Sequence, residues 1–168
     1  DIEEAVTEKT DGQNIQVTWK NGRPGFARGI KTRKQPLTPD ELNAEFQVKY
    51  QKSIDANGKE GAAGYKLVVD AFQATTEDLT AALSKLSPET LQRIFKNGRV
   101  FANMEIIYPA TTNVIAYEQA VLQFHNLVEY DENGRVVETD VTGGTMLQQV
   151  IQDANAHMQN TFSFIPPN

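Results

Sequence analysis

Two kinds of periodicity divide this chain into three parts, and that division constrains the fold more than any other feature. Ile15-Gln16-Val17-Thr18-Trp19 alternates apolar and polar residues, as a half-buried strand does. Val100 to Tyr108 and Ala120 to Tyr130 are strand-like again. Between them lies a block opened by Thr38-Pro39-Asp40-Glu41, with Thr as N-cap, Pro in the first turn and acids facing the helix dipole. Strands at both ends and helices between them predict an α+β class, with antiparallel strands flanking a helical insert.

The finer expectations follow from caps and turns. Val6 to Glu8 reads as a strand, Asn21-Gly22 as a hairpin turn, and Gly25 to Ile30 as the returning strand. The first helix is expected to reach about Ile54, followed by a glycine-rich loop from Asn57 to Gly64 and a helix from Tyr65 to Phe72. Thr76-Glu77-Asp78-Leu79 and Ser87-Pro88-Glu89-Thr90 read as two further helix starts, the second helix stopping at Asn97-Gly98. Asp131-Glu132-Asn133-Gly134 turns a hairpin between Ala120–Tyr130 and Arg135–Glu138. An amphipathic helix is expected over Thr145 to Gln159, then a short strand at Phe162 to Ile165.

Charge is unevenly spread. The chain of 168 residues has a net charge of −6. Between Gly12 and Pro39 stand Lys20, Arg23, Arg28, Lys31, Arg33 and Lys34 with no acidic residue, so the rest carries −12. Such a chain is unsuited to indiscriminate nucleic-acid binding but suited to a polyanion held at one place, a triphosphate or one nucleic-acid strand. The plainer reading is a solvated basic hairpin. There is no cysteine, which excludes disulfides, thiol catalysis and Cys-ligated zinc and fits a cytoplasmic protein. No apolar run is long enough to span a membrane. His125 and His157 are too few and too far apart to suggest zinc. Gly143-Gly144-Thr145 lacks a Walker lysine and reads as a helix entry. Trp19 and the phenylalanines read as core.

The segment Glu8-Lys9-Thr10-Asp11-Gly12 carries the most specific signal. A lysine stands where a strand ends, beside an aspartate and a glycine that lets backbone approach a bound group; an exposed β-turn would look the same. This Lys-x-Asp-Gly motif, with Arg28, Glu105 and the aromatic run Leu122-Gln123-Phe124-His125-Asn126-Leu127 following in order, resembles the covalent nucleotidyltransferase superfamily of ATP-dependent DNA ligases, RNA ligases and capping enzymes. The resemblance covers about Val6 to Tyr130, and Asn14 after Gly12-Gln13 looks most like phage-type RNA ligases.

The resemblance implies a ligase-type nucleotidyltransferase fold, with ATP-grasp-like antiparallel sheets and a helical insert. It implies Lys9 as the nucleophile that attacks the α-phosphate of ATP, forming lysyl-AMP and releasing pyrophosphate. Glu8 would meet the adenine, Asn14 would sit near the phosphates with Asp11 and Gly12 beside them, and Arg28 would contact ribose or a nucleic-acid end. Glu105 would hold the ribose or a metal-bound water, and Phe124 or His125 would stack on the base. A lysine is unprotonated in about one part in two thousand at neutral pH. Glu8 and Asp11 favour the ammonium, so ATP with Mg²⁺ would have to switch the site on. The superfamily's later Glu-Gly-x-Val-x-Lys and Lys-x-Lys strands are not seen after Tyr130, and Glu60-Gly61 falls in the wrong order. Residues 1–168 are therefore expected to be one adenylation domain cut before its last two motifs, as the ends at Asp1 and Ile165-Pro166-Pro167-Asn168 also suggest. The expected substrate is a nicked or broken nucleic acid. The alternatives are a non-catalytic ligase-like binding module, in which Lys9 only contacts phosphate, and a capping-type guanylyltransferase.

Overall fold

The computed structural model describes residues 10–109, 121–139, 147 and 163–165. Among them, six strands form one sheet with four helices. The strands are β1 (Thr10–Lys20), β2 (Arg23–Ala27), β3 (Val100–Pro109), β4 (Val121–Tyr130), β5 (Val136–Thr139) and β6 (Ser163–Ile165). The helices are α1 (Ile30–Lys34), α2 (Pro39–Gly61), α3 (Ala63–Leu83) and α4 (Pro88–Phe95). The class is α+β as expected. The N- and C-terminal strands do not make separate sheets: they join in the antiparallel order β2-β1-β3-β4-β5, and β6 adds in parallel to β4.

Strand β1 is the centre of this arrangement. It pairs with β2 through a two-residue turn in which Asn21 and Gly22 both have positive φ, 53° and 80°. That left-handed pair matches the twist of a tight hairpin, and Asn-Gly is the sequence best able to adopt it. On its other side β1 pairs with β3 from Thr10↔Pro109 to Val17↔Ala102. The strand is therefore continuous through Asp11-Gly12, where the sequence suggested an end. A glycine breaks a strand only when no neighbour holds the ladder, and here β3 holds it.

The return from β2 is shorter than expected. Thr32 Oγ1 accepts from the backbone N–H groups of Arg28 at 2.9 Å and Gly29 at 3.2 Å, which ends the strand at Ala27 and starts α1. The outer edge of β2 is closed by a two-way bridge, Phe26 N to Leu37 O and Leu37 N to Phe26 O, both 2.8 Å. Pro36 packs so closely there that a Cβ on Gly25 would lie 2.6 Å from its own Cβ.

Thr38 caps α2 in a reciprocal box: its Oγ1 accepts from Glu41 N at 3.1 Å, and Glu41 Oε1 accepts from Thr38 N at 2.8 Å. The helix runs past Ile54 and breaks only at Gly58, whose φ of 77° suits glycine alone. The expected helix start at Thr76 is absent, because α3 runs straight through it. Thr76 Oγ1 turns back to Gln73 O at 2.9 Å, and Val69, Phe72, Thr76, Leu79 and Leu83 form one buried stripe at three- and four-residue spacing. Burying that stripe outweighs the capping preference. Ser87 does cap α4, which ends at Lys96 and Asn97 in left-handed conformations before Gly98.

The sheet's two faces differ. The helices cover one face with an apolar core that includes Ile15, Val17, Phe26, Phe46, Phe72, Phe95, Met104, Ile106 and Phe124. Rings of Phe46 and Phe72 stack at 4.2 Å. The opposite face carries a hydrogen-bonded row: Gln16 Nε2 donates to Asn103 Oδ1 and to Tyr130 Oη, each at 2.7 Å, and Asn103 Nδ2 donates to Asn126 Oδ1 at 3.1 Å. A small apolar cluster of Ala27, Phe101, Val128 and Tyr130 lies beside it. Among the described residues no helix is long and apolar enough to cross a membrane.

Candidate functional site

Lys9 and Glu8 lie outside the described residues, as do His157, Gly143 to Thr145 and all but Leu147 of the helix expected over Thr145 to Gln159. Asp11 and Gly12 are ladder positions in β1, opposite Tyr108 and Ile107, rather than turn residues. Asn14 pairs with Glu105, so the two share a face, and Asn14 Nδ2 donates to Met104 O at 3.3 Å. Glu105 Oε1 meets His125 Nε2 at 3.2 Å on that same open face. These three site residues come together.

Two others do not join them. Arg28 follows β2 instead of lying within a strand, and its guanidinium sits on the helix side, 5.0 Å from the Phe72 ring centroid and 5.4 Å from that of Phe46. Its Nη2 donates to Gln13 Oε1 and its Nε to Asn14 O, both at 3.1 Å. The sheet thus separates it from Glu105 and His125. Phe124 is 2% exposed in the core and presents no ring face to a base. Strand alternation turns Phe124 inward and His125 outward. Among the described residues there is no group of three or more His, Asp or Glu side chains that could hold a metal ion.

Five of the six cations of the basic stretch fall into two sets, and Lys31 of α1 stands outside both. Arg28 is engaged as above. Arg33 donates to Gly134 O through Nε at 3.3 Å and Nη2 at 3.2 Å, donates to Gln16 Oε1 at 3.3 Å, and lies 4.4 Å from the Tyr130 ring centroid. These two arginines are structural: they tie the β2–α1 corner to the sheet. Lys20, Arg23 and Lys34 have no ion pair among the described residues. All three line one cleft of about 200 Å³ between the β1–β2 hairpin and the α1–α2 connection.

The local causes are plain. Lys20 and Arg23 are paired across the Asn21-Gly22 turn, which sets them side by side at the hairpin tip. Lys34 arrives from the last turn of α1, a helix that exists because Thr32 ends the strand. Glu41, the one carboxylate in the lining, is engaged in the cap of α2. The lining is cationic on balance, and mutual repulsion of three unpaired cations is relieved by an anion. The Lys20–Arg23 juxtaposition was readable from the hairpin signal; the arrival of Lys34 depended on a helix that the sequence did not announce. The Gln16–Asn103–Asn126 row was also missed, since glutamine and asparagine in alternating strands look like ordinary solvent-facing residues.

Comparison with family models, curated proteins and solved structures finds no match to this chain.

Proposed function

We propose that the chain is a non-catalytic polyanion-binding module that holds nucleic-acid phosphates at the cleft of Lys20, Arg23 and Lys34. The observation that carries this reading is the convergence of three unpaired cations from two elements on one cleft, in a chain otherwise strongly acidic. The acidic remainder repels a polyanion elsewhere and so confines binding to this place. Phosphate neutralisation by about three cations predicts a salt dependence with a slope near −2 for a single strand, because each contact releases about 0.7 of a counterion. Fluorescence anisotropy of a labelled oligonucleotide between low and moderate salt measures it. The triple substitution Lys20→Ala, Arg23→Ala, Lys34→Ala is expected to weaken binding at least about tenfold and flatten the slope. Unchanged affinity in the triple variant would sink the reading.

A second reading, lysyl-AMP formation, is favoured by one observation: Asn14, Glu105 and His125 share a face of the sheet, and β1 begins one residue after Lys9. In it the Lys9 amine attacks the α-phosphorus of ATP, a P–N bond forms, and pyrophosphate leaves as the P–O bond breaks. The side on which Arg28 lies counts against it, while the burial of Phe124 leaves His125 as the residue to meet the base. Intact mass after incubation with ATP and Mg²⁺, beside a Lys9→Ala control, separates the two readings. One AMP on the native chain alone establishes transfer; GTP in its place tests the capping-type variant.

A further inference from the structure

A second cavity, of about 680 Å³, adjoins the cationic cleft and shares Lys34 and Gln35 with it. Among the described residues Ile30, Lys31 and Glu132 also line it. Its volume falls in the range of ligand-sized cavities, about 300–1,000 Å³. Ile30 is 56% exposed, an apolar side chain left open at the start of a short basic helix. It is held in place, because a Cβ on Gly134 would lie 3.2 Å from Ile30 Cγ2 and glycine is what lets the Asp131–Gly134 turn approach. A phosphate site and a ligand-sized cavity, lined mostly by polar residues with one open aliphatic side chain, Ile30, therefore meet at Lys34.

We infer that the nucleic acid is single-stranded and that one unstacked base occupies the Ile30 cavity while its phosphates sit at Lys34, Lys20 and Arg23. This rests on the polyanion reading above. In a duplex the base faces are stacked inside and cannot reach an apolar side chain, whereas a single strand offers them freely. The spacing is covalent in origin: a phosphate at Lys34 is tied through its sugar to a base that must lie beside it, and the adjoining cavity is where it can go. Gln35, at the junction, carries both a donor and an acceptor for a base edge. Among the described residues no aromatic ring lines the cavity, so the base gains contact with the aliphatic Ile30 rather than full stacking, and the preference is modest.

The test compares three labelled probes of equal length by anisotropy: an oligothymidylate strand, an abasic strand of the same backbone, and a duplex. The oligothymidylate is expected to bind about 5-fold tighter than the abasic strand, somewhat less than aromatic stacking would supply. The duplex should also bind less tightly than the oligothymidylate. Ile30→Ser should erase the advantage over the abasic strand and leave abasic affinity unchanged, which also reports that the variant is folded. Equal affinity for the oligothymidylate and abasic strands, or tighter binding of the duplex, overturns the inference and leaves the polyanion reading standing. Binding of none of the probes overturns both.

Discussion

The same strands present opposite chemistry on their two faces, and the faces are held by different physics. On the helix side, Ile15, Val17, Met104 and Ile106 bury area against Phe46 and Phe72, an interaction without direction that is sensitive to volume. On the open side, Gln16 is 4% exposed and every polar group of its amide is used: both N–H bonds donate, to Asn103 and Tyr130, and its oxygen accepts from Arg33. That face is directional, sensitive to a lost partner rather than to a lost methylene. The lesson is that one face of a sheet can be held largely by amides that satisfy one another beside a small apolar cluster.

Substitutions on each face can break this contrast. The largest effect is expected from Phe72→Ala, about 3–5 kcal/mol in urea unfolding, because the stacked Phe46 ring and the helix–sheet core lose their filling. Gln16→Leu keeps volume but removes both donors and the acceptor, and should cost about 1–3 kcal/mol. Equal costs, or a neutral Gln16→Leu, would show that the open face is held by packing after all.

The smallest effect sharpens the contrast from within the helical layer. Burial pushes the Asp78 carboxyl from its ordinary 3.8 to about 6, helped by the nearby charge of Glu77, and its Oδ2 is buried without a hydrogen bond. A raised carboxyl value means that the folded state favours the protonated form. The destabilisation is therefore full above about pH 6 and fades as pH falls through that value towards 3.8. Asp78→Asn should stabilise by about 1 kcal/mol near neutral pH, a figure kept low because the side chain remains partly in solvent, and by nothing near pH 4. Unfolding midpoints at the two pH values decide it; a gain that does not change with pH would assign the effect to something other than this carboxyl.

Several elements were legible residue by residue. Asn21-Gly22 turned where expected, and Thr38 with Glu41 and Ser87 capped the helices they were read to open. Three readings differed. Gly12 looked like a strand end until β3 supplied its ladder, and Thr76 looked like a cap until its helix proved to bury a continuous stripe. Ile30 looked like strand until Thr32 captured the N–H groups of Arg28 and Gly29. At Gly12 and Thr76 a local preference worth about a kcal/mol gave way to strand pairing or burial, whereas at Ile30 one local preference, the Thr32 hydroxyl bonds, displaced another. At the site, pairing across a two-residue turn put Lys20 beside Arg23, but nothing local distinguished them from Arg28 and Arg33.

What the sequence by itself determined is what closes within about four residues, turns, caps and the alternation that sends Phe124 and His125 to opposite faces. Which cations are spent and which are left for a ligand was decided only in three dimensions. Arg33 reaches Gly134, 101 positions away, and Gln16 reaches Tyr130 across 114. A charge is engaged or left unpaired according to partners that the chain brings near only by folding, so its availability is a tertiary property even where its identity is plain.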